Sequence, residues 1–193
     1  MLEMKATQRG TCGFTLVELM VTLVIAVVLM AAAAPSFITF QRNAELTSYA
    51  NTLVAAINAA RGEAIKRGRA AMVVPQDGTS WSSGLRVFVD MDRSQDFTTD
   101  DTTVFTRDAS PSYLTVSGNN TAQENPPYIL FDASGYSKTK AGGFGALSFT
   151  IARNDVDTAT AASETRRVVI ASTGRVRVCK PSTDTSCTGT ASK

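Results

Sequence analysis

Residues 13–35 read GFTLVELMVTLVIAVVLMAAAAP, and from Phe14 to Ala34 only Thr15, Glu18 and Thr22 interrupt an apolar run. A helix needs about 20 such residues to cross a bilayer, so this stretch is long enough to span one. The leader before it, MLEMKATQRGTCG, is short and polar, and its Lys5 and Arg9 keep the N-terminal side cytoplasmic by the positive-inside rule. A secretory signal would place a small-residue cleavage site after the apolar run. Here Pro35 and an amphipathic segment follow instead, so the run reads as retained. A plain membrane anchor leaves Glu18 unexplained. A lone carboxylate near the middle of a spanning helix costs about 2.5–3.5 kcal/mol on insertion scales, and such groups are kept where they have a partner.

The rest of the composition narrows the chemistry. The net charge is +2, from 19 basic and 17 acidic residues, so any site for a polyanion must be local. The chain has no histidine, which removes the commonest general base, the usual partner of a nucleophilic serine or cysteine, and a common metal ligand. No GxxxxGK[ST] phosphate loop, GxGxxG fingerprint or CxxC pair occurs. Ser134 and Ser172 lack a base of suitable type and read as turn residues. An enzyme is not expected, and no cofactor is assigned.

Beyond Pro35 the sequence SFITFQRNAELTSYANTLVAAINAARGEAIKRG repeats apolar residues at helical spacing: Leu46, Tyr49, Leu53, Ile57, Ala60 and Ala64. Arg42, Glu45, Arg61 and Lys66 fall elsewhere around the helix, and Gly68 marks its end. A continuous helix from Phe14 to Arg67 would be roughly 80 Å long, more than a globular domain needs, so its first half requires membrane or other subunits around it. After Gly68 the period becomes two, with strands expected at 70–74, 85–90, 102–106, 113–117, 128–132, 146–151, 166–171 and 175–179, wrapped around the helix's second half. SGNNTAQENPP and RNDVDTATAASE read as exposed loops.

The segment GFTLVE, Gly13 to Glu18, resembles the type III signal of type IV pilins and pseudopilins, and Pro35 lies where pilins often carry a proline. The resemblance implies an α+β type IV pilin fold: a leader (1–13), a transmembrane half-helix (14–35), an amphipathic half-helix (36–68) and a β-rich domain (69–193). It further implies cleavage by a prepilin peptidase after Gly13 and N-methylation of Phe14. Glu18 would pair with the terminal amine of its own or a neighbouring subunit during assembly. The expected location is the inner membrane of a Gram-negative bacterium, single-pass with a periplasmic C-terminal domain, and then an extracellular pilus among other major and minor pilins.

WSSGLRVFVDMDRSQD and the closing RRVVIASTGRVRVCK are similar to the GspH/FimT branch of pseudopilins. With the leader removed, Cys12 leaves, and Cys179 and Cys187 remain as an even pair on the oxidising side. A disulfide closing CKPSTDTSC is then expected, worth about 2.5 kcal/mol by loop entropy. A lipoprotein role for Cys12 fails because no apolar segment precedes it.

Gly174 suits a tight hairpin turn, and the strand after it alternates Arg175 and Arg177 on one face with Val176 and Val178 on the other, Lys180 lying just beyond. By spacing alone these arginines are the guarded outer face of an edge strand. The resemblance adds a role. In FimT-type minor pilins a GRxR motif near the C-terminus carries DNA binding, and GRVR, Gly174 to Arg177, matches it. Sequence-blind capture of double-stranded DNA through phosphates by Arg175, Arg177 and Lys180 is therefore expected. The other expectation is a GspH-like structural pseudopilin of a type II secretion system, placed at the filament tip.

DMDRSQDFTTDD imitates part of a calcium loop through Asp90, Asp92, Ser94 and Asp101. It departs at Gln95, where the sharp turn favours glycine, and at Asp101, where a longer glutamate is usual. A solvated acidic loop is the expectation, with no metal ligand assigned.

Overall fold

The computed structural model describes residues 13–188. Lys5, Arg9 and Cys12 of the expected leader lie outside the described residues, as do residues 189–193. The chain divides into two compact units, the first ending at Gln41 and the second beginning at Arg42. One helix, α1, spans Leu16–Arg67 and carries 52 residues, starting at Leu16 rather than Phe14.

In the first unit the large apolar side chains from Leu16 to Met30, with Phe37, Ile38 and Phe40, are exposed. Nothing in that unit removes them from water, so another apolar phase must. The helix is long and apolar enough to cross a membrane.

In the second unit the helix buries Leu46, Ala50, Leu53, Ala56, Ile57, Ala60 and Ala64. Four of these are alanines, which lets the sheets approach the helix axis closely. Tyr49, expected in the stripe, is half-buried at its margin. Gly68 ends the helix at φ +64, a left-handed conformation that costs glycine little.

The strands are β1 (Ala71–Pro75), β2 (Leu85–Val89), β3 (Thr102–Arg107), β4 (Leu114–Gly118), β5 (Ile129–Phe131), β6 (Ser137–Lys138), β7 (Leu147–Arg153), β8 (Thr165–Ile170) and β9 (Val176–Cys179). They form two sheets, ordered β3-β2-β1-β5-β6 and β4-β7-β8-β9, and every strand pairing in both is antiparallel. All the expected strands occur with ends moved by at most 2 residues, while β6 was unforeseen because two residues carry no periodicity.

One main core joins the helix stripe to Val73, Val87, Ile129 and Phe131 of the first sheet and to Phe149, Ile151, Val168 and Ile170 of the second. Trp81 bridges the sheets: its ring meets Phe149 edge-on at 4.8 Å and its Nε1–H donates to the Ala122 carbonyl at 2.8 Å. A smaller cluster of Met72, Phe88, Tyr128 and Leu130 lies on the outer face of the first sheet. Phe97 covers it, 5.3 Å from the Phe88 ring, so the acidic segment after β2 folds back across the sheet rather than waving free.

Both expected loops need correction. SGNNTAQENPP contains a short 3-10 turn, Asn120–Gln123, whose Thr121 and Ala122 are buried beneath Trp81. RNDVDTATAASE holds the short helix α2 (Thr158–Ala161), capped by the Asp157 carboxylate accepting from Thr160 N–H. Arg153, at its start, has a side chain only 6% exposed and ion-pairs with Glu45 at 2.6 Å, Asp155 at 2.8 Å and Glu164 at 3.7 Å. Arg42 adds a 3.8 Å contact to Glu164, and Arg166 donates to Asn43 Oδ1 at 2.8 Å. Composition suggested solvent, but these charges satisfy one another against the helix.

Candidate functional site

The β8–β9 hairpin is built around Gly174. The Ala171 carbonyl accepts from Gly174 N–H at 2.8 Å, and Ala171 N–H donates to the Arg175 carbonyl at 2.9 Å, closing the turn with Gly174 at φ +79. A Cβ there would stand 2.2 Å from the Gly135 carbonyl oxygen and 2.7 Å from Arg61 Nε. Gly174 is therefore buried where the hairpin tip meets a second turn, and it serves the fold rather than offering a surface for a ligand.

Arg61 ties the two turns together. Its Nε donates to the Gly135 carbonyl at 3.0 Å and one terminal nitrogen donates to the Thr173 carbonyl at 3.2 Å. The periodicity placed Arg61 away from the core. In fact it flanks Ala60 and Ala64 and points at two glycine turns, one from each sheet. The signal in the sequence was its place one turn after Ile57, at the edge of the buried stripe.

The two arginines of GRVR part company. Arg175 is exposed, and its guanidinium makes no hydrogen bond or ion pair with any other described residue. Arg177 instead turns onto the ring closed by Cys179 and Cys187, donating to the Ser186 carbonyl at 2.7 Å and Ser186 Oγ at 3.2 Å, 3.9 Å from Asp184. Hydrogen bonds from Ser186 hold the Asp184 carboxyl below the usual range, Arg177 adding to them, so an anion sits beside this cation at neutral pH. Arg167 on β8 holds the same ring through the Cys187 carbonyl. The ring is a clamped unit packed on Val169, as the expected disulfide implied.

The facing of β9 is as expected, Val176 and Val178 standing opposite the buried Ile170 and Val168, and only the burial of Val178 differs. Val178 points to the core side, but β9 is the edge strand, so it is left 39% exposed. Val176 packs against the main core. Lys180 is half-buried at the entry to the ring, and its carbonyl accepts from the Thr183 and Asp184 amides. The cationic spot at the hairpin turn thus reduces to Arg175, with Lys180 beyond the far end of β9 and Arg177 contributing through a neutralised neighbour.

At the other end of the chain, Gly13 and Phe14 precede the helix and are exposed. Glu18 has a partner that sequence reading missed: one carboxylate oxygen accepts from Thr15 N–H at 2.9 Å and from Thr15 Oγ1 at 3.0 Å, while Thr15 Oγ1 accepts from Glu18 N–H at 3.2 Å. This is a reciprocal capping box, and its signal was the T-x-x-E spacing itself. The carboxylate is thereby held at the first turn, within a residue of Phe14.

Asp90, Asp92 and Asp101 meet as well, each presenting a carboxylate oxygen within 4.8 Å of the others. Asp90 is buried, contrary to a solvated loop, and burial raises its carboxyl above the ordinary range, opposed by the Gln95 N–H. Gln95 adopts φ +60, the left-handed turn for which glycine was thought necessary.

Residues 49–174 match the family described as Type II transport protein GspH, well over half of the chain. The chain belongs to the GspH family. Residues 8–34 match the prokaryotic N-terminal methylation motif. Together these make it a GspH/FimT-like type IV pilin. The GspH match ends at Gly174, so Arg175, Arg177 and the disulfide lie beyond it.

Among solved structures, the type IV minor pilin FimU of Pseudomonas aeruginosa is similar in two crystal forms. The first has a TM-score of 0.57 and 22% identity over 74% of this chain and 94% of that one. The second has a TM-score of 0.54 and 21% identity, covering 71% and 94%. The minor pseudopilin EpsH of the Vibrio cholerae type 2 secretion system gives 0.46 and 17%, covering 71% and 98%. No curated protein matches the sequence. The FimU likeness shows the pilin fold, a long helix on antiparallel sheets.

Proposed function

We propose that this GspH-family minor pilin captures extracellular double-stranded DNA during natural transformation, through phosphates and without regard to sequence, at the outer corner of the β8–β9 hairpin. The observation that carries the reading is Arg175: an exposed guanidinium, unpaired among the described residues, fixed to a turn that Gly174, Gly135 and Arg61 hold rigid. A forked donor grips phosphate bidentately, and here its backbone is fixed while the free guanidinium needs no partner broken first. Lys180, past the far end of β9, offers a second and separate cation for the same duplex, and Arg177 acts chiefly by keeping the disulfide ring in place. So few contacts make a weak site, which several copies along a pilus strengthen by avidity.

The account includes processing after Gly13 by a prepilin peptidase, methylation of Phe14, passage through the inner membrane and pairing of Glu18 with a subunit amine on assembly with other pilins. The capping box supports it by keeping the Glu18 carboxylate next to Phe14. A second reading, a structural pseudopilin of a secretion system, is favoured by the engagement of Arg177 with Ser186 and Asp184, which reads as architecture.

Gel shifts with the full chain in detergent micelles separate the two. DNA capture requires retarded duplexes of unrelated sequence, loss of retardation in Arg175→Ala, and a smaller effect of Arg177→Ala. Absence of any shift at low salt supports the secretion reading.

A further inference from the structure

We infer that Asp90, Asp92 and Asp101 form a calcium site. Their oxygens lie within 4.8 Å of one another, although no lysine or arginine among the described residues lies within ion-pair distance of any of the three. Asp90 is 2% exposed, and its Oδ1 is buried with no hydrogen-bond partner. An unpaired carboxylate oxygen removed from water beside two further carboxylates is unfavourable unless a cation or a proton completes it, and three carboxylates facing one point suit a cation.

The remaining contacts preorganise the group. Asp101 accepts from Met91 N–H and Thr98 N–H, both at 2.8 Å; Asp92 accepts from Ser94 N–H at 2.9 Å and Thr98 Oγ1 at 3.0 Å; Asp90 Oδ2 accepts from Gln95 N–H at 3.1 Å. Each of these oxygens keeps a second lone pair. The loop is anchored independently, by Phe97 on Phe88 and by the 2.7 Å ion pair of Asp96 with Lys140, so the carboxylates are not free to separate. Asp92 is exposed and Asp101 half-buried, so the cluster is reached from solvent on their side.

An all-oxygen set without nitrogen or sulfur selects a hard cation. Irregular spacing within a loop suits calcium, which tolerates variable coordination, over magnesium, which demands near-octahedral geometry and keeps its waters. Three carboxylates with water completing the shell place the site in the weak class typical of extracellular modules, with dissociation constants on the order of 0.1–1 mM.

The test is calorimetric titration of the chelator-treated full chain in micelles with calcium chloride and, separately, magnesium chloride. Calcium is expected to bind with one-site stoichiometry and magnesium more weakly. Asp92→Asn, which keeps an acceptor for Ser94 N–H, is expected to weaken calcium binding roughly ten-fold or more. Asp90→Asn should do the same, and if that variant fails to fold, Asp92→Asn and Asp101→Asn decide. No calcium heat up to about 10 mM, well above the weakest extracellular sites, overturns the assignment. So does equal response to the two metals, or an Asp92→Asn protein with wild-type affinity.

Discussion

Gly174 and Arg175 are adjacent and do different work. The glycine cannot acquire a side chain: φ +79 is unfavourable for any other residue, and a Cβ would collide with the Gly135 carbonyl oxygen. Gly174→Ala is therefore expected to cost about 2 kcal/mol or more, since strain at one such position is worth roughly 1–3 kcal/mol before the collision is counted. A lowered melting temperature in thermal unfolding checks it, and DNA affinity measured on the folded fraction should fall as well, because the turn that carries Arg175 must shift. The turn itself was legible, because glycine between two strands is a strong local signal. The division of labour between Arg175 and Arg177 was not. It depends on Ser186 and Asp184, which the disulfide brings beside Arg177, and strand alternation says nothing about a neighbour delivered by a covalent bond. Arg61 escaped for a related reason: helical periodicity gives a side chain's direction, not which carbonyls the sheets will place there.

At the scale of elements, the helix and the strands could be read because each has a strong period, 3.6 for the helix and 2 for the strands. The segment between β7 and β8 could not, since its polar composition is that of a loop while its charges are paired across long sequence separations, Arg153 with Glu45 among them. Arg153→Met is expected to destabilise the protein by about 3 kcal/mol, as removing one partner of a buried ion pair leaves the others uncompensated. Denaturant unfolding of wild type and variant checks this. The same connections carry an acid sensitivity. The Asp155 carboxyl is held below its usual range by Arg153, and that of Asp157 by the Thr160 amide. Asp77, accepting from Ser80 and Thr79 amides, is pushed down to about 2 from an ordinary 3.8. A carboxyl depressed by folding stabilises the native state above its unfolded value and loses that contribution as pH falls toward the folded one. Stability is thus expected to fall from about pH 4 toward pH 2. Asp77→Asn should lower stability most near neutral pH, converge with wild type toward pH 2 and so flatten the slope in that window, as thermal scans across the range would show.

At the scale of the whole molecule, the exposed apolar residues of the first unit and the folded core of the second belong to a subunit that has to be sheathed by lipid and then by its neighbours. The pilin class was legible in Gly13 to Glu18 by resemblance, helped by a charge inside an apolar run that calls for a partner, while the GspH/FimT branch was legible only in WSSGLRVFVDMDRSQD and RRVVIASTGRVRVCK. Processing follows from that account: intact mass of the native protein should correspond to a chain starting at a methylated Phe14, and replacing Gly13 by a bulky residue should leave the longer precursor in the membrane. Retention of residues 1–13 in the wild type would contradict it.

The claim that this pilin captures DNA through phosphates at Arg175 is tested most directly by the salt dependence of binding. Anisotropy titrations of a labelled duplex with the full chain in micelles, repeated at several salt concentrations, give the slope of log K against log salt, which is about −0.9 for each phosphate neutralised. The account predicts a negative slope of two or three contacts, about −2 to −3, unchanged for a duplex of different sequence, and a slope shallower by about one unit in Arg175→Ala. Binding insensitive to salt, or an Arg175→Ala protein with the affinity and slope of wild type, would contradict it.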